Sequence, residues 1–137
     1  MKYCVLIAFV GFMMSFAWAE DDVPAFNSYE SLSLSDRAIL DSFDDMGEVE
    51  VAKVNINSDK EMDYIVRQCS ASYGVGGCAI RVYTSTKQEE WNLGAEVYSV
   101  MTVAFPGTRT QGYLDLYFLG HGMKPPKLWK WNGQKYE

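Results

Sequence analysis

Cys69 and Cys78 carry the clearest chemistry in this sequence, and His121 is its single histidine. Two thiols so close in the chain can bridge, bind a metal or act as nucleophiles. A metal reading is poor, because the only other cysteine is Cys4, in the apolar N-terminal run that a leader would remove, and His121 is the only histidine. A nucleophile–base pair would have to use His121, which sits in the glycine- and proline-marked stretch Gly120-His121-Gly122-Met123-Lys124-Pro125-Pro126. No G-x-S-x-G or H-E-x-x-H is present, and Gly74-Val75-Gly76-Gly77 lacks the Lys-Ser/Thr and the helix of a phosphate loop. Neighbouring carboxylates such as Asp44-Asp45 and Glu89-Glu90 do not converge on one point. The chain is therefore expected to be non-catalytic and to use no cofactor.

The fate of the thiols depends on compartment. MKYCVLIAFVGFMMSFAWA has an early cation, a long apolar run and a small-x-small ending at Ala17-Trp18-Ala19. This is the layout of a signal peptide over residues 1–19, with cleavage expected before Glu20 and the product periplasmic or secreted. A membrane span is not expected, because the run is short and Glu20-Asp21-Asp22 follows it instead of a cationic flank. Cleavage removes Cys4 and leaves an even pair, which an oxidising compartment turns into a Cys69–Cys78 disulfide.

The net charge is −6, unevenly placed. Residues 20–63 hold thirteen acids against Arg37, Lys53 and Lys60, whereas residues 64–137 hold five acids against eight bases. Nucleic acid is not an expected partner, since phosphate contacts need a basic face. Lys124, Lys127, Lys130 and Lys135 read as a solvated strand edge.

What remains must be positioned by one small domain over residues 34–137, preceded by an acidic arm, 20–33. Ser35 is expected to cap a helix whose Ile39, Leu40 and Phe43 share a face, with Leu34 and Ile39 at staple spacing and Gly47 as its stop. Beyond Gly47 the pattern is β. Val49 and Val51 alternate on one parity and Val54 and Ile56 on the other, which requires a bulge near Ala52-Lys53 or a strand covered on both faces. Further strands are expected at 64–68, 79–84, 97–105 and 113–119. Asn132-Gly133 predicts a two-residue hairpin in which Trp129 faces Tyr136. The expected fold is α+β and mostly antiparallel: one short helix on a sheet of six or seven short strands, with one disulfide.

Asn55-Ile56-Asn57-Ser58-Asp59-Lys60-Glu61-Met62-Asp63 resembles the D-x-N-x-D-G-x-x-D turn of FG-GAP and VCBS-type repeats. With the following Gly-Gly-Cys hairpin and the W-x-G-x-x-Y ending, the order of motifs is similar to small exported bacterial proteins, mostly of unassigned function. In calcium-binding forms of that turn, alternating oxygen side chains surround the ion, and the resemblance makes Asn57, Asp59 and Asp63 the residues that would hold it. Asn55 replaces the first aspartate, and Lys60 replaces the glycine. No metal is therefore expected, and a turn held by Asx-type hydrogen bonds is.

Pairing Cys69 with Cys78 sets Ile65 opposite Val82, Arg67 opposite Ile80 and Tyr64 opposite Tyr83. It leaves residues 70–77 as a tip carrying Tyr73 and Gly76. That tip and the stretch with His121, Met123 and Lys124 are the expected contacts for a protein partner. The resulting expectation is an exported binding protein, an inhibitor or immunity-type protein that blocks a periplasmic enzyme or toxin, for example a cell-wall hydrolase. The alternatives are a calcium-dependent structural or adhesion module and a hydrolase using carboxylates.

Overall fold

The computed structural model describes residues 23–43, 45–73, 77–86, 88, 90–120 and 126–137. The expected leader, residues 1–19, lies outside these. The β-branched runs after Gly47 become β2 (Glu50–Val54), β3 (Asp63–Cys69), β4 (Cys78–Ser85) and β5 (Trp91–Val100), an antiparallel sheet to which β1 (Asn27–Ser28) adds beside β2. A second sheet has the order β10 (Leu128–Trp129), β9 (Leu116–Leu119), β6 (Thr102–Ala104), and β7 (Arg109–Thr110) pairs with β8 (Tyr113–Leu114). With α1 (Leu34–Asp41) and the Cys69–Cys78 disulfide, this is the α+β, mostly antiparallel fold expected, and six of its strands have three residues or more. No helix among the described residues is long and apolar enough to cross a membrane.

The disulfide-set register forms as read, with Tyr64 opposite Tyr83, Ile65 opposite Val82 and Arg67 opposite Ile80. The change of parity in β2 needs no bulge: its pairing with β3 is continuous from Glu50 to Val54. The strand is covered on both sides. Val51, Val66, Tyr64 and Tyr83 pack against Leu40 of α1, while Ala52, Ile65, Val82 and Ala95 pack against Val103, Leu116 and Phe118 of the second sheet. Period-two alternation sends neighbouring residues to these two cores.

Helix α1 begins two residues earlier than expected. Its cap is Ser33, whose Oγ accepts from the Asp36 backbone N–H at 3.1 Å, and Leu34 is exposed rather than stapled. The helix stops at Asp41, short of Gly47, with Ser42 donating its backbone N–H to Ile39 and Leu40. Part of the expected loose arm is docked. Beyond the β1 pairing, Phe26 lies under the Arg67 guanidinium at 4.1 Å, and Tyr29 donates its backbone N–H to the Val49 carbonyl at 3.1 Å.

Asp36 fixes the helix to the sheet. Its carboxylate accepts from the Tyr64 hydroxyl at 2.6 Å, from Ser33 Oγ at 2.7 Å and from Lys53 Nζ at 3.1 Å. Partial burial pushes this carboxyl up, but the Tyr64, Ser33 and Lys53 contacts outweigh it and hold Asp36 below its ordinary value. A lowered folded-state value means that the contribution is present above the unfolded value and is lost as pH falls through the folded one. Asp36→Asn should therefore cost about 2 kcal/mol at neutral pH, and the gap to the parent protein should close below about pH 4. Thermal melts of both proteins from neutral to acid pH check this.

Two expected strands are broken by backbone turns. The stripe from Val97 to Phe105 is split at Met101, just beyond an irregularity of β5 in which Ser99 adopts φ +59°; the chain there leaves the first sheet and enters the second as β6. The run from Tyr113 to Leu119 is split at buried Asp115, whose carboxylate accepts from Thr108 Oγ1 at 2.6 Å. The C-terminal hairpin is wider than a two-residue turn: Trp131 pairs with Tyr136, not Trp129. Asn132 Oδ1 accepts from the backbone of Gln134 and Lys135 at 3.0 and 2.9 Å, which spreads the reversal over four residues.

Candidate functional site

The oxygen-rich turn between β2 and β3 is closed by its own chain. Asp63 is fully buried, and its carboxylate accepts from the Ile56 and Ser85 backbone N–H groups, both at 2.8 Å, and from Ser85 Oγ at 3.2 Å. Asp59 accepts from Ser85 Oγ at 3.0 Å and from the Glu61 backbone at 2.9 Å, while Asn57 donates to the Ser85 carbonyl at 3.2 Å. The left-handed position falls on Ser58, φ +61°, so Lys60 is not forced into a glycine conformation and stays exposed. Burial pushes the Asp63 carboxyl above its ordinary value, against the pull of the Ser85 and Ile56 N–H groups, and the Asp59 charge pushes the same way. Asn57, Asp59 and Asp63 are thus brought together, with protein donors on their oxygens. Among the described residues no group of three or more His, Cys, Asp or Glu converges to hold a metal.

Beside this turn a cleft of about 570 Å³ opens between the first sheet and the smaller strands. Asn57, Asp59 and Ser85 contribute one part of its lining, and Tyr113, Trp131 and Gln134 another. The Tyr113 ring stacks on Trp131 with centroids 4.0 Å apart and planes at 7°. Trp131 in turn lies over Gly94, where a Cβ would sit 3.1 Å from the indole and press on the ring. Asn92 Nδ2 donates to the Gln134 carbonyl at 2.9 Å and ties the C-terminal hairpin to β5.

The helix side of the first sheet is only half covered. An α-helix is about 10 Å across and strands are spaced about 4.8 Å, so one helix shields little more than two strands. Cross-strand rows show the effect: Val51 and Val66 are buried under α1, whereas Arg81 and Glu96, next in the same row, form an ion pair at 3.6 Å near solvent. In the neighbouring row Tyr64 and Tyr83 are buried, but Leu93 is 43% exposed. Tyr98, two residues beyond Glu96, is 50% exposed and donates its hydroxyl to Glu96. Leu93, Glu96, Arg81 and Tyr83, with Phe43 and Trp91 at one end, line a shallow groove of about 370 Å³.

The expected contact residues divide. Tyr73 does not project from the tip. It folds onto β5, its ring 5.7 Å from that of Tyr98, its hydroxyl donating to Gln68 Oε1 at 3.0 Å and its carbonyl accepting from Ser99 Oγ at 2.7 Å. It therefore borders the open sheet face. Gly76, His121, Met123 and Lys124 lie outside the described residues. Leu93 and Tyr98 were legible only in part. The register shift between Val82 and Tyr83 leaves Gly94 as an extra residue on β5, so Leu93 shares a face with Glu96 and Tyr98 despite the opposite parity. No protein-family model, curated protein or solved structure matches the chain.

Proposed function

We propose that this is an exported, non-catalytic binding protein that docks on and blocks an enzyme outside the cytoplasm, as an inhibitor or immunity-type protein, with a cell-wall hydrolase as the target class. The observation that carries the reading is the uncovered half of the sheet face. Leu93 and Tyr98 stand exposed on a ten-residue strand, beside the half-buried Trp91, Phe43 and Tyr73. Apolar and aromatic side chains fixed on a rigid element lose little freedom on binding and are the usual anchors of protein interfaces. The groove offers a protein surface an apolar strip with the Arg81–Glu96 pair at its centre. Export supplies both the oxidising compartment for Cys69–Cys78 and access to such an enzyme.

Immobilised protein is expected to retain a hydrolytic enzyme from an envelope extract at near-stoichiometric levels. Leu93→Ala and Tyr98→Ala should each weaken that complex about tenfold or more, with the melting temperature nearly unchanged. Leu116→Ala, in the core, should instead cost about 3 kcal/mol of stability. Equal retention by the parent and the Leu93/Tyr98 double variant would remove the open face from the interface.

A further inference from the structure

We propose that the cleft beside the Asn57–Asp63 turn is a second binding site, and that its ligand is a neutral saccharide. The chemistry of the walls argues for this class. Asn92, Gln111 and Gln134 bring side-chain amides, which offer donors and acceptors together, as the hydroxyls of a sugar do. The wall also carries the carboxylates Asp59 and Glu90, but Asp59 already accepts from Ser85 Oγ and the Glu61 N–H, and the three amides add donors that a cation would not use. A phosphate or sulfate would call for basic groups, and among the described lining residues there is no Lys, Arg or His. Flat aromatic surface is also present: half-buried Tyr113, backed by its stack on buried Trp131 on the side of the smaller strands, and half-buried Trp91 on β5. Such rings pack on the C–H face of a pyranose while amides pair with its rim hydroxyls.

The cleft is also preorganised. Asn57 is held by the Ser85 carbonyl and by the Asp59 backbone N–H at 3.3 Å, and the hairpin wall is pinned by Asn92 and by Asn132. Little ordering therefore accompanies binding. A volume of about 570 Å³ lies within the range of small-molecule sites. The inference does not depend on the protein-docking reading. Only Trp91 lies at the edge of both surfaces, and the amides belong to the cleft alone.

The test is titration of the exported protein with chitotriose and, separately, cellotriose, following the indole N–H signals of Trp91 and Trp131 by NMR. The proposal expects a saturable shift of both indoles with at least one sugar, with a Kd of about 1 mM or tighter. The combined change Gln111→Ala and Gln134→Ala, both on exposed residues, should weaken it at least fivefold at unchanged melting temperature, whereas Leu93→Ala with Tyr98→Ala should leave it intact. No saturable shift with either sugar up to about 20 mM would overturn the proposal. So would unaltered affinity in the glutamine variant, or trilysine saturating the indoles at a lower concentration than either sugar, which would make the ligand a cation.

Discussion

Asp63→Ala is expected to lower the unfolding free energy by about 4 kcal/mol, more than any exposed residue of the oxygen-rich turn. The carboxylate satisfies the backbone N–H groups of Ile56 and Ser85 where water does not reach them. Each buried donor left without a partner costs about 1–3 kcal/mol, and Ser85 Oγ loses a partner as well. In a domain whose total stability is about 5–15 kcal/mol, that is a large fraction. Asp63→Asn should fare only somewhat better, because its amide nitrogen would face a backbone donor. Urea unfolding of the three proteins checks this through the midpoint. The pH behaviour differs in sign from that of Asp36. A value raised by burial means that protonation of Asp63 favours the folded state, so its contribution is present below the unfolded value and is lost as pH rises through the folded one. Acid lability is thus expected to follow Asp36 and to persist in the Asp63 variants.

The second large effect belongs to the disulfide. Replacing Cys69 and Cys78 together by alanine should cost about 3 kcal/mol, the chain-entropy contribution of a short closed loop. The bridge joins β3 and β4 at the end of a pairing that runs unbroken from Tyr64 to Cys69. Its loss should therefore first loosen that end, where Tyr73 packs on Tyr98. Hydrogen exchange should show Gln68 and Ala79 losing protection well before Tyr64 and Tyr83. Uniform loss along both strands would mean that the bridge acts only on the unfolded chain.

These expectations rest on features of very unequal legibility. The β3–β4 register could be read at sight, because two cysteines and one hydrophobic parity specify the same pairing. The two-sided burial of β2 was legible as one of two options, since Val51 and Ile56 fall on opposite parities whether a strand is bulged or sandwiched. The helix start was off by two residues because Ser33 and Ser35 are equally good caps by type. Only the reach of Asp36 to Lys53 and Tyr64, distant in sequence, decides between them. The breaks at Met101 and Asp115 carried no glycine or proline to announce them. The asparagine–aspartate turn was read as hydrogen-bonded, yet its anchor partner Ser85 lies 22 residues beyond Asp63 and is invisible to a local pattern. Neither candidate surface could be assembled from spacing. The open face depends on how little of the sheet α1 covers, and the cleft depends on the C-terminal hairpin returning to β5.

The blocking of an extracytoplasmic enzyme is tested most directly by adding the oxidised protein to a cell-wall-degrading envelope extract and following the turbidity of a peptidoglycan suspension. Lysis is expected to fall in proportion to added protein and to stop at a fixed stoichiometry. The Leu93/Tyr98 double variant, equally stable, should leave lysis untouched. Lysis that proceeds at the same rate whatever amount of the parent protein is present would contradict it.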